Sequence, residues 1–95
     1  MIFEWDEQKN QININKHGIS FKLASRVFLD ENVLILPDEV HSLSEERSIA
    51  VGQVGRILYV VFTERRDRIR IISARRATRL EEQLYDDNLY SEQGF

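Results

Sequence analysis

The sequence predicts an α+β domain in which helices precede and follow a run of hairpin-linked strands. Three observations indicate this class. Two helix N-caps stand near the beginning, at Asp6 and Ser20, then short apolar segments alternate with turns, and a capping box at Thr78 opens a closing helix. The expected order is β-α-α-β-β-β-β-α, with a mainly antiparallel sheet, two N-terminal helices and one C-terminal helix.

The N-terminal elements follow from alternation and capping chemistry. Residues 2–5 alternate as a short first strand, and Asp6 can cap the helix that comes next. Gly18 supplies a left-handed C-terminal residue, and Ser20 can cap a second helix. The two helices are therefore expected to end near residues 16 and 29. The first is weakly amphipathic, because only Ile12 and Ile14 are apolar within it.

The strands are predicted from apolar runs bounded by turn residues, at residues 33–36, 49–51, 57–63 and 69–74. Turns are expected over residues 52–56 and 64–68. The run at 57–63 is apolar on both faces, which favours the central strand. Leu80, Leu84 and Tyr85 give the closing helix its apolar stripe.

Length and composition exclude several classes of protein. A chain of 95 residues is expected to form one domain, residues 1–95. No signal peptide is recognisable at the start, and the longest apolar run is far shorter than the ~20 residues of a membrane span. Cysteine is absent, so disulfides are excluded and a reducing cytoplasm is the expected compartment. Two histidines without cysteine form no recognisable metal motif, and no cofactor or metal is expected.

The charge is distributed unevenly. The whole chain carries −3, but residues 65–79 hold seven arginines and one acid, Asp67. Such asymmetry is typical of a surface that meets a charged partner, and arginine binds phosphate through a bidentate fork. The alternative is a solvated surface of salt bridges.

Several blocks of sequence resemble the BrnT family of toxins. The most specific are Lys16-His17-Gly18 and the segment Arg70-Ile71-Ile72-Ser73-Ala74-Arg75. The match also includes residues 3–6, Glu46-Arg47 and residues 63–65, and it spans nearly the whole chain. Family members often carry glycine where this chain has Glu45. The resemblance implies a RelE-like fold, RNA cleavage without a metal, and a BrnA-like antitoxin that binds DNA and forms a hetero-oligomer with the toxin.

RNA cleavage without a metal requires proton transfer from the 2′-hydroxyl, proton transfer to the leaving oxygen, and stabilisation of the phosphate charge. Arg75 and Arg76 end the last strand beside a helix N-terminus, and alternation directs them to opposite faces. One of them could instead pair with Glu81. Arg65 lies at the tip of the preceding hairpin. Arg70 shares the alternation of Ala74, and either RNA contact or a cross-strand salt bridge suits it.

The remaining candidates are two short groups. Glu46 is a candidate general base, with Arg47 beside it as a phosphate contact, unless the two simply pair at the surface. Lys16 and His17 end the first helix, where they either cap it or bind phosphate and move a proton. The candidate catalytic residues are Lys16, His17, Glu46, Arg65, Arg75 and Arg76, and the candidate substrate-binding residues are Arg47 and Arg70.

Two rival functions need fewer of these residues. A non-catalytic RNA- or DNA-binding module needs only the arginines, and a protein-interaction domain would use them to hold an acidic partner. The aromatic residues do not decide the question, since core packing explains their periodic placement better than base stacking. They are Trp5, Phe21, Phe28 and Tyr59.

Overall fold

The computed structural model describes residues 1–41 and 45–92, with side chains as far as residue 89. The elements follow the predicted order. They are β1 (Ile2–Glu4), α1 (Glu7–His17), α2 (Phe21–Ala24) continued by a 3₁₀ helix (Ser25–Leu29), β2 (Leu34–Pro37), β3 (Ser48–Val54), β4 (Arg56–Arg65), β5 (Arg68–Arg76) and α3 (Arg79–Glu92). Within the described residues, no helix is both long and apolar enough to span a membrane.

The five strands form one mixed sheet in the order β1-β5-β4-β3-β2, with β4 in the centre as predicted. β2, β3, β4 and β5 pair in antiparallel fashion, whereas β1 runs parallel to β5. The expectation of a mainly antiparallel sheet is therefore wrong. Tight hairpins impose the antiparallel direction on β3, β4 and β5, but two helices separate β1 from β2, so no short turn sets its direction.

The predicted caps hold the N-terminal helices in place. The Asp6 carboxylate accepts the Lys9 N–H at 3.1 Å, and the Ser20 hydroxyl accepts the Leu23 N–H at 3.0 Å. Gly18 ends α1 in the left-handed conformation, with φ of 71°. Both predicted helix starts are confirmed.

Buried amides attach α1 to the sheet and to the start of α2. Asn13 donates to the carbonyls of Ile19 at 2.8 Å and Ala74 at 2.9 Å, and accepts the Ala74 N–H at 3.2 Å. Asn10 accepts the Phe21 N–H at 2.9 Å. In contrast, Ile12 is 58% exposed. The helix therefore packs through hydrogen bonds, which explains its weak amphipathic pattern.

Both predicted turns are shorter than the sequence indicated. β3 continues to Val54 and pairs with Arg56 across Gly55, which has φ of 70°. Gly52 lies inside β3 and not in the turn. Glycine is required there because a Cβ at this position would lie 2.9 Å from the Cβ of Val27. The next hairpin turns between Arg65 and Arg68, with Arg66 at φ of 59°.

The sheet has two unlike faces. One face packs under α1, α2 and the 3₁₀ helix, and its core includes Phe21, Val27, Val60, Phe62 and Ala74. The other face carries a smaller cluster built on Ile49, Val51 and Tyr85 of α3. We call the first the helix-covered face. The Tyr85 hydroxyl donates to Asp30 at 2.6 Å and ties α3 to the end of the 3₁₀ helix.

Candidate active site

A β-bulge decides which arginines share a face. Val61 pairs with Ser73 but Phe62 pairs with Ile71, so Ile72 is the extra residue of β5. Arg70 is consequently opposite Thr63, and Ala74 is on the helix-covered face. The predicted shared alternation of Arg70 and Ala74 is wrong, because the bulge reverses it.

Three of the predicted arginines lie on the face away from α1 and α2. Arg75 is paired with Tyr59, Arg70 with Thr63, and Arg65 follows two residues after Thr63 on β4. We call this surface the arginine face, defined by Arg65, Arg70, Arg75 and Tyr59. Alternation along each strand and the pairing of β4 with β5 therefore place on one face residues that are up to sixteen positions apart in the sequence.

Arg75 is the most firmly positioned of the three. Its guanidinium lies 3.9 Å from the centroid of the Tyr59 ring and donates two hydrogen bonds to Glu81, at 2.8 and 2.9 Å. Glu81 also accepts the Thr78 N–H at 2.8 Å, which completes the predicted capping box. A cation over a ring and a bidentate carboxylate hold the guanidinium in one orientation.

The same contacts shift the titration of these groups. The hydrogen bond from Arg75 lowers the pKa of Glu81, and in return Glu81 raises the pKa of Arg75. Burial raises the pKa of Tyr59, with a further contribution from the charge of Glu81. At neutral pH, Glu81 and Arg75 are thus an ion pair and the Tyr59 phenol is protonated.

Arg70 and Arg65 also have carboxylate partners. Arg70 donates to Glu4 at 2.9 Å across the β1–β5 pairing, and this confirms the cross-strand alternative for Arg70. Arg65 donates to both oxygens of Glu45, at 2.9 and 3.0 Å, which lowers the pKa of Glu45. Each guanidinium has five N–H donors, so donors are left for a phosphate after these bonds form.

Glu46 and Arg47 lie between Glu45 and the first residue of β3. The Glu46 carbonyl accepts the Thr63 hydroxyl at 2.9 Å, while its side chain is exposed. The Arg47 carbonyl accepts the Asp38 N–H at 3.0 Å, and the charge of Arg47 contributes to the lowered pKa of Glu45. Both residues therefore border the arginine face.

Lys16, His17 and Arg76 lie elsewhere. Arg76 pairs with Leu58, a core residue of the helix-covered face. His17, Arg56 and Arg76 line one open cavity of about 520 Å³, and Lys16 is exposed in the last turn of α1 beside it. No carboxylate is found among the described residues that line this cavity. The predicted site residues thus divide into two groups on opposite faces of the sheet.

Sequence reasoning missed a third group, next to Tyr59. The His41 Nδ1 lies 3.2 Å from both carboxylate oxygens of Asp38, and Asp38 is only 8% exposed. Both residues line a cavity of about 540 Å³ with Tyr59 and Ile49. The two histidines gave no metal motif in the sequence, and the Asp-x-x-His spacing in a turn was the signal that could have found this pair. Across residues 1–41 and 45–92, no set of three acidic or histidine side chains is arranged to hold a metal.

Comparison with known proteins gives consistent results. A family model described as the ribonuclease toxin BrnT of type II toxin–antitoxin systems matches residues 5–81. The crystal structure of the Brucella abortus ribonuclease toxin BrnT is similar, with a TM-score of 0.66 and 28% identity, over 83% of this chain and 100% of that chain. No protein of curated function matches significantly. Because the family model matches most of its length, the chain belongs to the BrnT family of ribonuclease toxins of type II toxin–antitoxin systems.

Proposed function

We propose that this toxin is a metal-independent endoribonuclease that cleaves RNA on the arginine face. Membership of the family implies an RNA substrate and an antitoxin partner. The observation that supports this location is the fixed guanidinium of Arg75, stacked on Tyr59 and held by Glu81, on the same face as Arg65 and Arg70. Preorganised donors of this kind stabilise charge that develops in a transition state.

The proposed reaction is an internal transesterification. The 2′-hydroxyl attacks the adjacent phosphorus, the bond to the 5′-oxygen breaks, and the product ends in a 2′,3′-cyclic phosphate. Arg75 would neutralise the crowded phosphate, and Arg70, Arg65 and Arg47 would contact the neighbouring phosphates. Glu46 is retained as a candidate for proton transfer, as the sequence indicated.

The second basic group has a different proposed role. Lys16, His17 and Arg76 lie on the helix-covered side, away from Arg75, so this proposal gives them no role at the phosphate that Arg75 would hold. Arg56 joins them in a cavity with an apolar floor that includes Leu58. We assign this group to binding the RNA backbone beyond the cleavage site, which replaces a catalytic role with an affinity role.

The antitoxin is proposed to be BrnA-like, with a DNA-binding domain, and to act with the toxin in the cytoplasm. Its inhibitory segment should present carboxylates to the arginine face, because buried guanidinium groups without partners are costly. A RelE-like ancestry would be consistent with an active site on a sheet face, and it stays a prediction from the sequence resemblance.

The experiment that tests this function is digestion of a 5′-end-labelled RNA by the purified toxin in excess EDTA. Internal cuts at defined positions are expected. RNA that is bound but left intact would indicate a non-catalytic binding module. Cleavage that appears only after a divalent metal is added would contradict the metal-independent mechanism.

A further inference from the structure

We infer that His41, oriented by Asp38, is the general base that removes the 2′-hydroxyl proton during RNA cleavage. This inference rests on the proposed function and adds a catalytic residue to the arginine face. Asp38 would be a positioning residue, since it acts through the imidazole.

The geometry of the pair fits this role. Asp38 is nearly buried and its carboxylate meets the Nδ1 edge of His41, whereas the His41 side chain is 67% exposed. The turn that carries both residues is attached to the sheet by the bond from the Asp38 N–H to the Arg47 carbonyl. A carboxylate at Nδ1 favours the tautomer with hydrogen on that nitrogen, and Nε2 then offers a lone pair to solvent or substrate.

The location also fits. The cavity that holds Asp38 and His41 includes Tyr59, and the Tyr59 ring is the platform beneath the Arg75 guanidinium. A proton acceptor and a phosphate-binding cation therefore border the same ring. We place the ribose of a nucleotide whose phosphate contacts Arg75 in the cavity beside Tyr59, toward the imidazole.

Among the titratable groups that line this cavity, the imidazole is the one suited to accept the 2′-hydroxyl proton. Asp38 and Glu39 face it from its own loop, Tyr59 faces it from β4, and Arg75 and Glu81 lie around the Tyr59 ring. Burial raises the pKa of Tyr59, so the phenol keeps its proton near neutral pH. Imidazole is the side chain whose ordinary titration range lies near neutrality, where a general base is most effective.

The proton and electron movements balance without a further reagent. His41 Nε2 accepts the 2′-hydroxyl proton while the 2′-oxygen forms a bond to phosphorus. The bond from phosphorus to the 5′-oxygen breaks, and that oxygen takes a proton from water. The imidazolium then releases its proton to solvent, and the products are a cyclic phosphate and a 5′-hydroxyl.

The test compares His41→Gln with a charge-removing control outside the cavity, Glu31→Gln, at an exposed turn position. Under single-turnover conditions, His41→Gln should lower the cleavage rate by about 10²–10⁴ with unchanged RNA affinity. The variant should also lose the rising limb of the pH–rate profile. Glu31→Gln should cleave within about twofold of wild type, since it removes one carboxylate at a position that lines neither the cavity nor the arginine face. Added imidazole should restore part of the rate of His41→Ala, a result that a merely structural residue would not give.

Each alternative outcome is distinguishable. A wild-type toxin that cuts no RNA would refute the proposed function itself, whereas an active wild type with an equally active, folded His41→Gln would refute only this inference. Loss of the pH limb in Glu46→Gln, with the limb kept in His41→Gln, would transfer the base role to Glu46. An RNA with sulfur in place of the bridging 5′-oxygen needs no acid for its leaving group. It should not rescue His41→Gln, and rescue would overturn the assignment of a base.

Discussion

Arg75 and Arg76 are neighbours in the sequence but lie on opposite faces of the sheet. Arg75 pairs with Tyr59 and contacts Glu81, whereas Arg76 pairs with Leu58 and lines a cavity with His17. The pleat of a strand produces this separation. Consequently, the two arginines cannot hold the same phosphate, and their removal should have different kinetic effects.

The first prediction separates these effects. Arg75→Ala should lower the cleavage rate of bound RNA by about 10²–10³ with little change in RNA affinity, because a group that acts in the transition state is lost. Arg76→Ala should weaken RNA binding and reduce its salt dependence, while the rate at saturating RNA stays close to wild type. The measurement is single-turnover cleavage over a range of toxin and salt concentrations.

Arg79→Ala is the matched control, since it removes one exposed arginine of the same segment from the start of α3. Arg79→Ala should change neither the cleavage rate at saturating RNA nor the RNA affinity by more than about twofold. Equal losses of cleavage rate in Arg75→Ala and Arg76→Ala would contradict the assignment of catalysis to one face of the sheet and RNA binding to the other.

The second prediction concerns the contribution of the Glu81 carboxylate to stability at different pH values. Its pKa is lowered in the folded chain, first by the hydrogen bond from Arg75. A lowered folded pKa stabilises the fold at pH values above the unfolded value, near 4.5, and this stabilisation is lost as the pH falls through the folded pKa. Glu81→Gln should therefore be less stable than wild type at neutral pH, with a difference that shrinks below about pH 4. Urea unfolding at several pH values would measure this, and a difference independent of pH would contradict it.

The third prediction concerns the buried amide of Asn13. Asn13→Ala leaves the N–H of Ala74 and two backbone carbonyls without their partner, at a cost of about 1–3 kcal/mol for each buried polar group. The expected loss in the free energy of unfolding is roughly 2–4 kcal/mol after partial relaxation. Asn15→Ala, at an exposed position of the same helix, should change it by less than about 0.5 kcal/mol. Similar stabilities for the two variants would show that α1 is held mainly by other contacts.

Much of the fold was predictable because its signals are local. The caps at Asp6, Ser20 and Thr78 and the apolar runs of the strands depend on residues a few positions apart. The parallel pairing of β1 with β5 and the bulge at Ile72 depend on the whole sheet instead. The hydrogen bonds from Asn13 to Ala74 cannot be predicted from a local pattern of apolar residues either, because the two residues are 61 positions apart.

The site was predictable only in part, for the same reason. Clustered arginines are visible in the sequence, but their carboxylate partners are not. Glu4 and Glu45 reach Arg70 and Arg65 across separations of 66 and 20 residues. The sequence groups Lys16 and His17 with Arg75 as catalytic candidates, but the sheet lies between them. His41 had no apparent companion, because the importance of Asp38 comes from its burial beside Tyr59.

The fourth prediction concerns the antitoxin. Because it should cover the arginine face, it should compete with RNA and associate more slowly as salt rises. The variant with Arg65, Arg70 and Arg75 all changed to Ala should bind the antitoxin at least tenfold more weakly. The control with Arg56 and Arg76 changed to Ala should bind it nearly as well as wild type. Calorimetric or optical titration with the co-encoded partner provides the measurement, and the reverse ranking of the two variants would place the inhibitor on the other face.

In the proposed reaction, the arginine face promotes attack by the RNA's own 2′-hydroxyl. The most direct measurement uses an RNA in which the nucleotide 5′ of a mapped cut carries a single 2′-deoxy substitution. In EDTA, we expect the unmodified RNA to yield a 2′,3′-cyclic phosphate and a 5′-hydroxyl, and the substituted RNA to resist cleavage at that position alone. Continued cleavage of the substituted RNA at that position, with a 5′-phosphate on the product, would contradict attack by the 2′-hydroxyl.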